Sequence, residues 1–192
     1  MQKKLSRQEL KEMVEKSIIR EEEKQWITSF ASRSVNEVMN NLGASANGLD
    51  DEQIRRNRVL YGKNQTNIEK KNLAGRIKNY LDKSKCFVIR KHKKPEKILN
   101  KELVVGDIVY LSKGDIVPAD LRVIVSKDLK VNQKAITGIT EEIEKSADVY
   151  SGRSQKVTDF INIVFEGTTV ISGWGEAVVL SVGSRTLWAT IK

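Results

Sequence analysis

The chain has 192 residues, enough to bury the core of one domain with a short appendage. Its hydrophobic fraction of 39% and charged fraction of 31% are typical of a soluble globular protein. The net charge of +9 favours nucleic acid or anionic lipid as a partner, although basic residues that only solvate the surface explain it equally well. A single cysteine, Cys86, excludes an internal disulfide and fits a reducing compartment.

Membrane insertion is not expected from the sequence. No apolar run approaches the ~18 residues that span a bilayer, and the charged N-terminus lacks the apolar segment of a secretory signal. We therefore expect a cytoplasmic location, with any membrane contact peripheral and at the inner face. One histidine and one cysteine do not make a metal cluster, so no metal site is expected.

Three helices are predicted in the first third of the chain. Residues 3–24 are strongly charged but place apolar residues at helical spacing, which indicates an amphipathic helix. Ser34 and Glu37 have the spacing of a capping box, which starts a second helix that Gly43 ends. Asp50 is predicted to cap a third helix.

From Cys86 onwards, short segments rich in β-branched residues alternate with turn residues, which predicts a mostly β domain. The predicted strands are 86–89, 107–111, 121–125, 163–165, 168–171 and 176–182. The basic residues 90–94 are predicted to form a hairpin turn, and the polar stretch 146–159 an exposed loop. The thiol of Cys86 is expected to be buried within its strand rather than to act as a nucleophile.

Three turn signals carry an aspartate, and they are Gly106-Asp107, Gly114-Asp115 and Pro118-Ala119-Asp120. Glycine supplies the positive φ of a tight turn, aspartate bonds the turn backbone, and proline fixes φ before the next strand. Because turn chemistry accounts for each aspartate separately, a structural role is favoured. A paired-carboxylate site from Asp107 and Asp115, and more generally a soluble hydrolase that uses Asp107, Asp115 or Asp120, is disfavoured.

These blocks, followed by Thr137-Gly138-Ile139-Thr140, resemble the actuator domain of P-type cation-pump ATPases, whose pattern is roughly ELVPGDIV, GDxVPAD and TGES. The stretch 165–173, which contains Gly167-Thr168, resembles the FxGTxVxSG hairpin of that family, where Gly167 and Gly173 would turn the chain and Val170 would pack. The resemblance implies an α+β, mostly β fold: a distorted jelly-roll-like actuator domain with N-terminal helices. Asn132-Gln133 is similar to the SQ of the magnesium-transporter branch.

The loop departs from the family pattern at one position. In the family, its glutamate enters the phosphorylation site of another domain and positions or deprotonates the water that hydrolyses an aspartyl phosphate, which requires a carboxylate. Ile139 occupies this position and has no lone pair. Glu141 and Glu142 lie downstream, and a shift of ~1 Å can cost about 10²-fold in a positioned reaction. No catalytic residue is therefore expected in this chain.

The segment from Gly48 to Asn64 resembles the N-terminal motif that precedes the first membrane helix of many cation pumps. A membrane hairpin follows in the family, whereas here the next stretch is basic and is interpreted as a linker that replaces the hairpin. The predicted domains are a charged helix (1–33), the N-terminal cation-ATPase motif (34–70), the linker (71–85) and the actuator domain (86–192). Residues 86–192 are expected to fold without residues 1–33.

No DKTGT sequence, Walker A pattern or dinucleotide fingerprint occurs. The chain is interpreted as a truncated P-type ATPase-related protein of the magnesium or cation transport family, not competent for transport or ATP hydrolysis alone and without a cofactor. It is either a remnant of a pump gene or a retained regulatory module. A regulatory module would bind an intact pump, its phosphorylation domain or anionic lipid. The alternative from another class, a nucleic-acid-binding protein, lacks a recognition motif.

Overall fold

The computed structural model describes residues 21–65, 81, 83–91, 94–154 and 156–191. Helix α1 covers residues 21–31, so most of the predicted helix 3–24 lies outside the described residues, as does most of the predicted linker. Helices α2 (Val35–Leu42) and α3 (Asp51–Tyr61) follow, and both begin with the predicted caps.

Both caps are reciprocal, which explains where the helices start. The Ser34 backbone N–H donates to Glu37 Oε2 at 2.8 Å, while Ser34 Oγ accepts the Glu37 backbone N–H. Asp50 Oδ1 accepts the Gln53 N–H at 2.8 Å, and Gln53 Oε1 accepts the Asp50 N–H at 2.9 Å. These bonds satisfy donors that the first helical turn leaves free. Gly43 ends α2 in the left-handed region, as predicted.

Antiparallel pairing joins the strands of the described residues into one seven-stranded sheet. The strands are β1 (Lys85–Ile89), β2 (Pro95–Leu99), β3 (Ile108–Ser112), β4 (Asp120–Asn132), β5 (Glu142–Glu144), β6 (Ile163–Val164) and β7 (Thr169–Ser181). Their order is β2-β1-β3-β7-β4-β5, and β6 pairs with β4. The predicted class, mostly β with N-terminal helices, is confirmed.

Strand β2 was not predicted, because lysine, glutamate and proline dominate its sequence. It pairs with β1 in the register Ile89↔Pro95, so the chain does reverse between the two strands as the hairpin prediction requires. Two residues of that predicted turn, 92 and 93, lie outside the described residues.

The predicted end of the strand 121–125 and the predicted break between 168–171 and 176–182 are wrong, because β4 and β7 each continue through a turn signal. The two strands pair along most of their length, including Lys127↔Trp174 and Lys130↔Ser172, with local register shifts. Asp128 and Gly173 adopt φ values of 50° and 69° and absorb this irregularity. A Cβ on Gly173 would lie 2.2 Å from Asp128 O. Gly173 therefore permits a close strand approach and does not turn the chain.

The stretch 146–159 is only partly the exposed loop that its polarity predicted. Val157–Asp159 forms a 3-10 turn, and Val157 is buried in the hydrophobic core. Tyr150 packs on Phe160 with ring centroids 4.6 Å apart, and its backbone N–H donates to Ala31 O at 2.9 Å. These anchors are scattered apolar residues, which is why the stretch shows no period.

One hydrophobic cluster contains residues of α1, α2, α3 and the strands. Ile27 and Phe30 of α1 are buried in it, and Trp26 Nε1 donates to Leu180 O of β7 at 3.1 Å. The division at residue 33 stays a prediction, but α1 shares the core of the sheet. Among the described residues, no helix has the length and apolar character needed to cross a membrane.

Candidate functional site

The first two aspartates of the turn signals organise separate turns. Asp107 Oδ2 accepts the Val104 N–H at 2.9 Å, and the Arg90 guanidinium binds both Asp107 oxygens at 2.8 and 2.6 Å. Asp115 Oδ2 accepts the backbone N–H and the hydroxyl of Ser112 at 2.8 and 2.9 Å. Gly106 and Gly114 before them have φ values of 92° and 93°. These contacts agree with turn chemistry.

Asp120 lies at the start of β4 and is fully buried, next to the fully buried Ala119. Its Oδ1 accepts the Glu166 N–H at 2.9 Å and its Oδ2 the Leu187 N–H at 2.5 Å. Burial raises the pKa of Asp120 to about 8, against the opposing effect of these two donors. Each of the three aspartates thus has its own partners, and Asp120 joins β4 to the Glu166-Gly167 turn and to the C-terminal segment.

Asn64, the last residue of the segment 48–64 that resembles the N-terminal motif, links that segment to the turn signals. Its Nδ2 donates to Asn100 O and to Pro118 O, both at 2.9 Å. Its Oδ1 accepts the Gly183 N–H at 2.9 Å. One buried amide therefore satisfies three backbone groups from three segments. The two motif blocks that the sequence presents separately form one unit.

Among the described residues Arg122 is the largest fully buried side chain, and it was not singled out from the sequence. Its guanidinium donates to Phe30 O at 3.3 Å, Arg33 O at 3.1 Å and Ala147 O at 3.2 Å, and also to Val123 O. Burial lowers the pKa of Arg122 to about 10. The sequence could have indicated this role, because Arg122 is a charged residue inside an apolar strand, and a buried charge requires hydrogen-bond acceptors.

Two further buried ionisable side chains, Lys145 and Glu23, connect segments of the same domain. The Lys145 ammonium donates to Phe160 O at 2.8 Å, and burial lowers the pKa of Lys145 to about 7. Glu23 of α1 accepts from Arg185 Nε at 2.6 Å, and burial raises the pKa of Glu23 against the effect of that arginine. For Cys86, burial raises the pKa to about 12, which disfavours a nucleophilic thiolate.

The loop Thr137-Gly138-Ile139-Thr140 lies in the connection between β4 and β5. A short helix, Lys134–Thr137, ends at Gly138 in the left-handed region, with φ 76°. The Ile139 N–H donates to Thr137 Oγ1 at 3.2 Å, which holds the turn closed. The Ile139 side chain is 61% exposed, so an apolar group faces solvent there.

The residues on either side of the loop fix its base. Asn132 Oδ1 accepts the Lys134 N–H at 2.9 Å, and Asn132 pairs with Glu142 across β4 and β5. Gln133 is buried and its Nε2 donates to Thr158 O at 3.0 Å. In the part of the chain that the structure describes, no group of three or more histidine, cysteine, aspartate or glutamate side chains could hold a metal ion.

The fold and the turn network define a mostly β domain with a docked N-terminal motif and a projecting loop. Residues 81–192 match the family model of the P-type ATPase actuator domain, and residues 30–78 match that of the cation transporter/ATPase N-terminus. The chain therefore belongs to the P-type ATPase family, through its actuator domain and its N-terminal cation-ATPase segment.

Several ion-transporting ATPases are similar to parts of the chain. A magnesium-transporting ATPase, P-type 1, of Escherichia coli is 39% identical over 85 residues, which are 44% of this chain and 10% of that protein. Calcium-transporting ATPase 1 of Schizosaccharomyces pombe is 40% identical over 101 residues, 53% of this chain and 11% of that protein. The probable cation-transporting ATPase F of Mycobacterium tuberculosis is 40% identical over 87 residues, which are 45% of this chain and 10% of that protein. The matched region thus spans about a tenth of each relative.

Proposed function

We propose that this chain is an actuator unit of the magnesium- or cation-pump type whose loop cannot activate water, and that it is catalytically silent alone. The observation that supports this proposal is the exposed Ile139 at the position where the family has its glutamate. A hydrocarbon side chain neither accepts a proton nor orients water. The 192 residues also contain no DKTGT sequence, so no phosphorylatable aspartate of that type is available.

The neighbouring glutamates are poor substitutes by position. Glu142 belongs to β5 and is paired with Asn132 of β4, at the base of the loop. Glu141 is directly beside it, on the far side of Thr140 from Ile139. Glu142 could take the place of the missing carboxylate only by leaving its pairing with Asn132, and Glu141 is two positions beyond Ile139, outside the turn that the Thr137–Ile139 hydrogen bond closes.

A chimeric pump tests the loop. Residues 132–144 of this chain replace the matching stretch of an intact magnesium-transporting ATPase, which is then phosphorylated with labelled ATP. We expect the phosphoenzyme to form and its hydrolysis to slow by at least ~10²-fold, the scale of a lost general base. The matched control is the same chimera with Ile139→Glu, which should recover the rate. Normal hydrolysis by the Ile139 chimera would refute the proposal.

A second experiment, on the isolated chain, tests whether it is catalytically silent. Incubated with labelled ATP and quenched with acid, it should incorporate no more label than a heat-denatured sample. Ile139→Glu in this chain should change nothing, because there is no phosphoenzyme for the restored carboxylate to act on. Acid-stable label in the native sample would show a phosphorylation chemistry that the proposal denies.

We further propose that the chain is a regulatory module with a peripheral contact to anionic lipid. The support is the β1–β2 hairpin, where Phe87 is 46% exposed and pairs with Lys97, whose ammonium lies 5.3 Å from the ring centroid. Lys85 is exposed on the same strand. An exposed aromatic ring flanked by lysines suits an anionic interface, where each basic residue near the surface contributes about 1 kcal/mol.

Vesicle sedimentation tests this contact. The chain should sediment with vesicles of mixed neutral and anionic phospholipid and remain in the supernatant with neutral vesicles. Binding should fall as salt rises from ~0.05 to ~0.5 M, because screening shortens the Debye length. Lys85→Gln with Lys97→Gln should weaken binding more than the matched pair Lys127→Gln with Lys130→Gln on β4. Equal losses would place the contact elsewhere.

A further inference from the structure

A groove of about 690 Å³ runs beside the loop, between β5 and the segment 156–159. Four carboxylates line it, from Glu141, Glu142, Glu144 and Asp159, against the single ammonium of Lys156. The chain as a whole carries +9, so the sign of charge is locally reversed. Such a reversal concentrates cationic groups at the groove.

Three of the four groove carboxylates have no internal partner among the described residues, and only the fourth does. Asp159 accepts a hydrogen bond from Ser154 Oγ at 2.5 Å. For Glu141, Glu142 and Glu144, no side-chain hydrogen bond or ion pair to another described residue exists. Three like charges held in one short stretch repel one another, and a bound cation relieves this repulsion.

A second, independent observation comes from Gln133, which also lines the groove. Its side chain is 1% exposed, and its Oε1 has no hydrogen-bond partner among the described residues, although its Nε2 donates to Thr158 O. An unsatisfied buried amide oxygen costs roughly as much as a lost hydrogen bond, and a ligand that donates an N–H group would remove that cost.

The groove also has an apolar side. Ile139 at its rim is exposed and Ile143 is half-buried, so a ligand meets hydrocarbon next to carboxylate. A hydrated metal ion makes no use of such a surface, and the described carboxylates do not converge as metal ligands. A guanidinium has several fixed N–H donors and a flat face that tolerates apolar neighbours.

We propose that this groove binds an arginine-bearing segment of a partner protein, with guanidinium groups on Glu142 and Glu144 and an N–H group donated to Gln133 Oε1 after a small displacement of the groove wall. Apolar residues beside the arginine cover Ile139 and Ile143. The groove is then a docking surface for a basic partner. This inference goes beyond the proposed function, because it concerns a partner's charge and not the dephosphorylation step.

The test uses the full chain and a blocked peptide that carries two arginines flanked by isoleucines. Calorimetric titration should show saturable binding with Kd below ~1 mM. The same peptide with citrulline in place of arginine, which keeps the shape and loses the charge, should bind at least ~10-fold more weakly. In NMR spectra, the side-chain amide signals of Gln133 should shift on addition of the arginine peptide.

Matched variants locate the site. The double variant Glu142→Gln with Glu144→Gln keeps side-chain size and should weaken binding about 10-fold. Glu52→Gln with Glu96→Gln, which removes two exposed charges away from the groove, should leave binding unchanged. Circular dichroism establishes that all variants are folded.

Several results would overturn the proposal. These are no binding of the arginine peptide at ~1 mM, equal binding of the citrulline peptide, or equal effects of the two double variants. Shifts of the Gln133 amide by Mg²⁺ or by spermidine, with displacement of the peptide, would assign the groove to a small cation instead. None of these results alters the outcome expected for the chimeric pump, so the two proposals fail separately.

Discussion

Replacing Phe30 with alanine tests whether α1 is an integral part of the domain. Phe30 is 2% exposed and meets Trp26 edge-on, with ring centroids 4.7 Å apart. Truncating a buried phenylalanine costs about 3–5 kcal/mol, because the transfer free energy is lost and a cavity remains. Since small domains have only about 5–15 kcal/mol of stability, this loss is a large part of the total.

The hydrogen bonds from Arg122 to the backbone at and after the end of α1 give an independent estimate of what the docking of α1 contributes to stability. Arg122→Met removes the donor to Phe30 O, Arg33 O and Ala147 O. Each buried acceptor left unsatisfied costs about 1–3 kcal/mol, partly offset because the charge no longer has to be buried. We therefore expect a net loss of about 3–5 kcal/mol, similar to that for Phe30→Ala.

Urea unfolding followed by circular dichroism measures both losses, as a lower midpoint with an unchanged slope. Leu60→Ala on α3 is the matched control, because Leu60 is 63% exposed and should change the free energy of unfolding by less than about 0.5 kcal/mol. A loss below ~1 kcal/mol for Phe30→Ala would refute the reasoning.

Deleting residues 1–33 is the extreme form of the same perturbation. It removes Ile27 and Phe30 from the core and leaves Arg122 without two of its acceptors. We expect the cooperative transition to be lost, in contrast to the expectation from sequence that residues 86–192 fold without this segment. A cooperative transition in the deleted protein would support the original domain boundary.

Three further outcomes are expected. Burial lowers the pKa of Lys145 to about 7, from ~10.4 in an unfolded chain. The unfolded chain therefore binds the extra proton between these values, so this contribution to the free energy of unfolding grows as the pH rises from ~7 to ~10.4. Lys145→Met should therefore reduce the rise of the urea midpoint with pH over this range. An unchanged pH dependence would contradict the lowered pKa of Lys145. Gly173→Ala should lower the urea midpoint more than Gly114→Ala. Both glycines have positive φ, but a new Cβ meets backbone atoms at Gly173 and no atom within 4 Å at Gly114. Equal losses would contradict the close strand approach at Gly173. Cys86 should react with iodoacetamide at pH 8 at least ~100-fold more slowly in the folded chain than in urea, because the raised pKa of its half-buried thiol leaves little thiolate. Similar rates in the two states would contradict the raised pKa.

Much of the local structure could be predicted from the sequence. The caps at Ser34 and Asp50 depend on a partner three residues away, and the turns at Gly106 and Gly114 depend on φ at one residue. Such interactions are complete within a few positions, so residue type and spacing are sufficient to indicate them. The Ile139 on which the proposed function rests is likewise read from the sequence alone.

The interactions that the sequence did not reveal join distant positions. Strands β4 and β7 continue through Asp128 and Gly173 because each has a full-length partner in the other. A turn propensity of a few tenths to about 1 kcal/mol per residue does not outweigh a ladder of paired backbone groups. No local sequence pattern indicates which distant strand will pair with β4 or β7.

The sequence by itself determined the family and the mostly β class, and it contains the Ile139 on which the proposed function rests, because each of these depends on short runs of residues. Only the tertiary structure decided which groups satisfy the buried charges and amides. Two of the acceptors of Arg122, Arg33 O and Phe30 O, lie 89 and 92 positions away, and Asn64 reaches Gly183 across 119 positions. The groove beside Gln133 has the same origin, since it forms only when the segment 156–159 packs against the base of the loop. A buried polar group requires a partner wherever the folded chain supplies one, and that place is set by packing rather than by sequence distance.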